Sequence, residues 1–178
     1  MNNPKPRLII VMGVSGCGKS TIAKTIAKEK KMIFLEADGF HSVAAKELMA
    51  NGNPLNDLMR EPWIAAICDE LKKIQQKNRN CVLAYSGLRT KHRQQFRQLG
   101  FETLFLFLSA SEISIAQRLD KRTGHFFNKK LLASQIEALE IPSAEMDVVL
   151  IDVECSLAEA NSRVRDAVNS KILNPIQG

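Results

Sequence analysis

The sequence predicts an α/β protein built on a five-stranded parallel sheet with helices on both faces. Three observations carry this reading. Five short runs rich in Val, Ile, Leu and Phe lack a strict in-out alternation, as strands buried on both faces require. Amphipathic segments at helical spacing lie between them, and strand and helix alternate along the chain, the order that right-handed crossovers convert into a parallel sheet. The chain has 178 residues, 45% hydrophobic and 25% charged, which suits one globular domain and excludes a disordered, collagen-like or coiled-coil chain.

Leu8 to Met12 is the first strand, and from Ser20 the spacing of Ile22 and Ile26 places two apolar side chains on one face of a helix that is otherwise lysine-rich. Ile33 to Glu36 is the second strand. A short helix over Val43 to Ala50 precedes Asn51-Gly52-Asn53-Pro54, a cluster of helix breakers that reads as loop. Glu61-Pro62-Trp63 is expected to open the next helix, because Pro is tolerated in a first turn, and Ile64, Ile67, Leu71 and Ile74 give it a core face as far as about Gln76. Cys81 to Tyr85 is the third strand. A basic helix from Thr90 to Leu99 stops at Gly100, and Thr103 to Leu108 is the fourth strand. Helical pattern resumes over Ser111 to Leu119, breaks across a basic stretch from Asp120 to Lys130, and returns as far as Glu140 before Pro142. Val148 to Ile151 is the fifth strand, and Ser156 with Glu159 forms a capping box for the last helix.

Lys plus Arg number 25 against 19 Asp plus Glu, a formal charge of +6 that favours anionic partners without naming one. The cysteines at 17, 68, 81 and 155 have no metal-ligand or CxxC spacing and read as reduced thiols of a cytoplasmic protein. No apolar stretch approaches the roughly 20 residues of a membrane helix.

Gly13-Val14-Ser15-Gly16-Cys17-Gly18-Lys19-Ser20 fits GxxxxGK[ST], and it falls between a buried strand and an amphipathic helix, where such a loop must sit to cradle phosphate. Its backbone N–H groups and the following helix terminus attract phosphate oxygens, Lys19 reaches the β and γ phosphates, and the Ser20 hydroxyl suits Mg²⁺. The residues Gly13 to Thr21 are therefore expected to bind ATP in a three-layer P-loop NTPase fold.

Glu36 and Asp38 project to the same side if the second strand runs through both, which would pair a carboxylate near Mg²⁺, acting through water, with a base for an attacking hydroxyl. Arg118, Lys121, Arg122, Gly124 and His125 gather positive charge around a glycine, the composition of a lid over phosphates, at about 119–130. A second cationic group, Lys46, Arg60, Arg89, Lys91, His92 and Arg93, is expected at the same edge of the sheet and suits an anionic or polyol substrate, with the substrate-binding segment at about 39–63. Arg89 to Arg97 is also open to reading as an exposed basic helix that touches RNA phosphates. With one Trp and one Tyr, stacking platforms for single strands are scarce, so the small molecule is favoured over nucleic acid.

Taken together, these residues resemble the small P-loop gluconate kinases of the thermoresistant type, more distantly related to shikimate kinases. Beyond the phosphate loop the likeness rests on Asp38 with His41, Pro54-Leu55-Asn56-Asp57, Arg60-Glu61-Pro62-Trp63, Ser86 with Leu88, Arg118-Leu119, Arg122 to Phe127, Ser134-Gln135, and Leu139-Glu140 with Pro142. The resemblance implies a nucleoside-monophosphate-kinase-like fold with a lid, often a homodimer, transferring phosphate from ATP to the 6-hydroxyl of D-gluconate. It implies Asp38 as base, Lys19 and Arg122 on the transferred phosphoryl, Arg118 against the adenine, and His41, Arg60, Arg89 and His125 around the substrate. Met59, Arg89, His92 and Gln94 depart from the residues usual in the family, and the loss of two carboxylates near the pocket would favour a more anionic substrate than gluconate. A kinase for another small anionic or polyol substrate, and a nucleotide-binding module without catalysis, are the alternatives.

Overall fold

Residues 4–120 and 129–173 are described by the structure, a computed structural model. Five parallel strands lie in the order β2-β3-β1-β4-β5: β1 (Arg7–Met12), β2 (Ile33–Glu36), β3 (Cys81–Ala84), β4 (Glu102–Ser109) and β5 (Val148–Asp152). Among the described residues seven α-helices connect or flank them: α1 (Lys19–Lys30), α2 (Val43–Ala50), α3 (Asp57–Gln76), α4 (Thr90–Arg97), α5 (Glu112–Asp120), α6 (Lys129–Ala138) and α7 (Leu157–Leu173).

β1 shows why its pattern is continuous rather than alternating. Leu8, Ile10 and Met12 pack on one side of the sheet with Trp63, Ile64, Ile67 and Leu71 of α3 and Phe96 of α4. Ile9 and Val11 pack on the other side with Ile22 and Ile26 of α1 and Val164 and Val168 of α7. Both faces are dry, so every position must be apolar. Full burial of such a side chain contributes roughly 1.5–3 kcal/mol, which makes β1 the axis of both cores.

Two expectations need correction. Helix α3 begins at Asp57, four residues before the predicted start, because Asn56 caps it: the Asn56 Oδ1 accepts from the Met59 N–H at 2.8 Å. Pro62 then lies inside the helix, where it removes one i→i−4 donor without ending the run. Strand β2 also stops at Glu36, and Ala37–Phe40 forms a 3₁₀ turn, so strand alternation does not set the direction of Asp38. Elsewhere the caps behave as read. The Ser156 hydroxyl accepts from the Glu159 N–H at 3.3 Å while the Glu159 carboxylate accepts from the Ser156 N–H at 2.9 Å.

Candidate active site

The loop from Gly13 to Gly18 leaves the carboxyl end of β1 and turns directly into α1. Gly18 is the helix N-cap at φ 97°, a left-handed conformation that costs other residues about 1–2 kcal/mol. As a glycine it brings no side-chain acceptor, so the N–H groups of the first turn stay available to a ligand. Lys19 Nζ donates to the Val14 carbonyl at 3.0 Å and closes the loop on itself. Cys17 is buried, with its sulfur 2.9 Å from where a Cβ on Gly13 would stand, so it fills space beneath the loop.

A cleft of about 530 Å³ opens at the carboxyl ends of β1, β2 and β3, where ligands bind in open α/β sheets. Ser15, Gly16, Gly18, Lys19 and Ser20 line one end. Asp38 and His41 from the turn after β2, Lys46 from α2, and Arg60 and Trp63 from α3 line the other. Ser86 and Leu88, just beyond β3, and Leu131, Ser134 and Gln135 of α6 complete the wall. The Gln135 Oε1 accepts from the Ser15 N–H at 2.7 Å, which ties α6 to the phosphate loop. Sequence reasoning gave Ser134-Gln135 no role; the amide's target lies 120 residues away and leaves no local pattern.

The electrostatics divide the cleft. Burial pushes the Glu36 carboxyl above its ordinary range, opposed by the Ser20 hydroxyl beside it, with Asp38 adding to the rise and Lys19 and Lys24 countering it. Glu36 is thus near Ser20 even though the strand ends there. Burial likewise lowers the His41 imidazole, and the charges of Lys46 and Arg60 lower it further against the pull of Asp38, which favours a neutral ring. The His41 ring stacks on Trp63 at 4.1 Å between centroids, and its buried Nδ1 has no partner among the described residues.

Several expected residues lie elsewhere. Arg89 is not in the cleft wall; it pairs with Asp57 and Glu140 at 3.4 Å each. Arg118 is also outside the wall and donates through Nη2 to the Val153 carbonyl. Gly13, Val14 and Cys17 form the inner side of the phosphate loop, and Thr21 is exposed on α1. Arg122 and His125, with the rest of 121–128, fall outside the described residues. The reading of Arg89 to Arg97 as an exposed basic helix fails, because His92 and Arg93 are fully buried. His92 Nδ1 meets the Tyr85 hydroxyl at 3.0 Å. Arg93 donates to the Gly87 carbonyl at 2.6 Å, the Glu140 carbonyl at 3.1 Å and the Glu145 carboxylate, partners 47 to 52 residues away in two cases, so no local pattern announces it.

The departures at Met59, Arg89, His92 and Gln94 therefore stand behind or beside the cleft. Met59 and Gln94 are exposed and absent from its wall. Neither side chain touches the cleft, so the missing carboxylates act on the pocket through charge at a distance and not through contact.

A phosphate loop between β1 and α1, facing a carboxylate and a cationic pocket across one cleft, defines a P-loop small-molecule kinase. The family model described as an AAA domain matches residues 8–142. A gluconokinase of Gluconobacter oxydans is 37% identical over 84% of this chain and 84% of its own length. The thermoresistant gluconokinase of Escherichia coli is 35% identical over 85% of this chain and 87% of its own. The crystal structure of a gluconokinase from Sinorhizobium meliloti superposes with a TM-score of 0.77 at 34% identity, covering 95% of this chain and 99% of that one. The chain belongs to the gluconokinase family.

Proposed function

We propose that the chain phosphorylates D-gluconate at its 6-hydroxyl with ATP. The observation that carries this reading is the cleft itself: Lys19 and Ser20 at one end, Asp38, His41, Lys46 and Arg60 at the other. Lys19 and the N–H groups of Gly16 and Gly18 bind the triphosphate and draw its charge toward the start of α1. Lys46 and Arg60 attract the sugar-acid carboxylate and orient the chain of hydroxyls. Asp38 accepts the proton of the attacking hydroxyl as its oxygen bonds to the γ-phosphorus and the bond to the bridging oxygen breaks.

The oxygen donors suit Mg²⁺, a hard cation that keeps most of its waters: the Ser20 hydroxyl would ligate it and Glu36 would hold one of those waters. Bound there, Mg²⁺ supplies charge neutralisation across the phosphates. Arg122, Arg118 and His125 belong to this reading as lid and nucleotide residues through the family resemblance. So do a cytoplasmic setting and a homodimer. No helix among the described residues is long and apolar enough to cross a membrane.

ATP consumption measured against D-gluconate, other aldonic acids, shikimate, nucleosides and a short RNA tests the proposal. Gluconate is expected to give the highest kcat/KM, and Asp38→Asn to lower kcat by about 10²–10⁴. A clear preference for another acceptor, or nucleotide binding without turnover on any of them, refutes it.

A further inference from the structure

Trp63 touches both ends of the turn that carries Asp38. Its indole Nε1–H donates to the Ala37 carbonyl at 2.7 Å, immediately before Asp38. Its ring stacks on His41 at 4.1 Å and 18°, three residues after it. The turn between these contacts, Ala37–Phe40, is a single 3₁₀ turn at a strand end, and its closing bond from the His41 N–H to the Asp38 carbonyl is long, at 3.4 Å. Ala37 is fully buried, so its carbonyl has the indole as partner where water cannot reach.

Trp63 is in turn held from behind. Tyr85 packs against it at 5.2 Å, Phe96 meets Tyr85 edge-on at 5.1 Å, and the Tyr85 hydroxyl is fixed by His92. The row runs from α4 through the end of β3 and α3 to the cleft. It gives the buried His92, which departs from the family's usual residue, a place in the site's support without contact to substrate.

We infer that Trp63 is a positioning residue: by clasping Ala37 and His41 it fixes the direction of the Asp38 carboxylate and keeps the His41 ring at the substrate end of the cleft. The inference rests on Asp38 being the base, as proposed above. A misplacement of about 1 Å at a reacting group can cost roughly 10²-fold in rate. Loss of one of two clasps is expected to cost about tenfold in kcat, within that range.

The experiment uses the fact that the chain has one tryptophan. Expression with β-(3-benzothienyl)alanine in its place exchanges the indole N–H for sulfur and keeps the ring; expression with 4-fluorotryptophan keeps the N–H. Steady-state kinetics and ATP affinity are measured for both proteins, with Trp63→Phe as a genetic counterpart and Asp38→Asn as the control. Expected is a fall in kcat of about tenfold for the benzothienyl protein, an ATP Kd within twofold of the parent, and a fluoro protein within threefold of the parent. A fall in kcat of less than about threefold overturns the inference, as does a parallel loss of ATP affinity, which marks a merely structural role. Asp38→Asn separates the two proposals. If it is inactive while the benzothienyl protein is normal, only the positioning role is lost; if it is fully active, the base assignment falls and the inference with it.

Discussion

Replacing Arg93 by Met should unfold the support of the cleft rather than the cleft itself. The guanidinium is fully buried and holds two separate pieces of chain through three acceptors: the Gly87 carbonyl beside Ser86, and the Glu140 carbonyl and Glu145 carboxylate in the segment between α6 and β5. Methionine keeps an unbranched apolar stem but is smaller than the arginine side chain and donates nothing, so the Gly87 and Glu140 carbonyls lose a partner, at about 1–3 kcal/mol for each one that stays dry. Glu145 keeps Arg97, which also pairs with Asp147 at 2.7 Å, so its charge is not orphaned. The sum falls near the 3–5 kcal/mol typical of breaking a buried pair, a large part of the 5–15 kcal/mol that holds a domain together. At about 2–4 °C per kcal/mol for a chain this size, Tm should fall by roughly 6–20 °C. Arg93→Lys should recover only part of this, since one ammonium cannot span the three acceptors. Urea unfolding followed by circular dichroism gives the numbers, and a loss below about 1 kcal/mol would refute the reasoning.

The same network sets an acid response. Burial pushes the Glu145 carboxyl upward, but the hydrogen bonds and charges of Arg93 and Arg97 outweigh it and hold the group below its ordinary value of 4.5. Its contribution is therefore complete above about pH 4.5 and drains away as pH falls through the lower folded value, a slope that Glu145→Gln should flatten in acid titrations of stability. Lys19→Met should lower kcat at least about 10²-fold while leaving the fold intact, since among the described residues the Lys19 ammonium bonds only the Val14 carbonyl; unchanged turnover would remove it from phosphoryl transfer. Gln135→Leu deletes the acceptor for the Ser15 N–H, and a rise of roughly fivefold in KM for ATP is expected, matching about 1 kcal/mol for one hydrogen bond; an unchanged KM would show that the loop holds its shape alone. Of the four thiols only Cys155 is partly exposed, so a bulky maleimide should label one site in the native protein, and rapid modification of Cys17 would contradict its burial.

The sheet was legible because parallel strands leave a compositional mark, seen in Leu8 to Met12 and Thr103 to Leu108, and the phosphate loop because its glycines are required by backbone geometry at fixed spacing. Two kinds of feature were not. The start of α3 depended on whether Asn56 or Pro62 marked the end, and the side-chain cap, which needs only a local hydrogen bond, prevailed over the proline rule. Charged residues were the harder case. Arg60, Arg89 and Arg93 look alike in sequence, yet the first lines the cleft while pairing with Asp57 on its own helix, the second bridges Asp57 and Glu140 outside the wall, and the third is buried under the Ser86 loop. What separates them is partners from distant elements, to which spacing is blind.

The position of β1 at the centre of the sheet also bears on how the chain is made. Its two neighbours are β3 and β4, and the strand end at Arg7 bonds to Asn80 on one side and Glu102 on the other. Neither edge of β1 can be covered until those later segments have left the ribosome, and contacts of such sequence separation form slowly. A nascent chain thus carries β1 as an unpaired apolar strand until β3 and β4 have emerged, the kind of edge that chaperones shield. The phosphate loop likewise emerges 120 residues before Gln135, whose side chain accepts from the Ser15 N–H, so that hold on the loop comes only with α6.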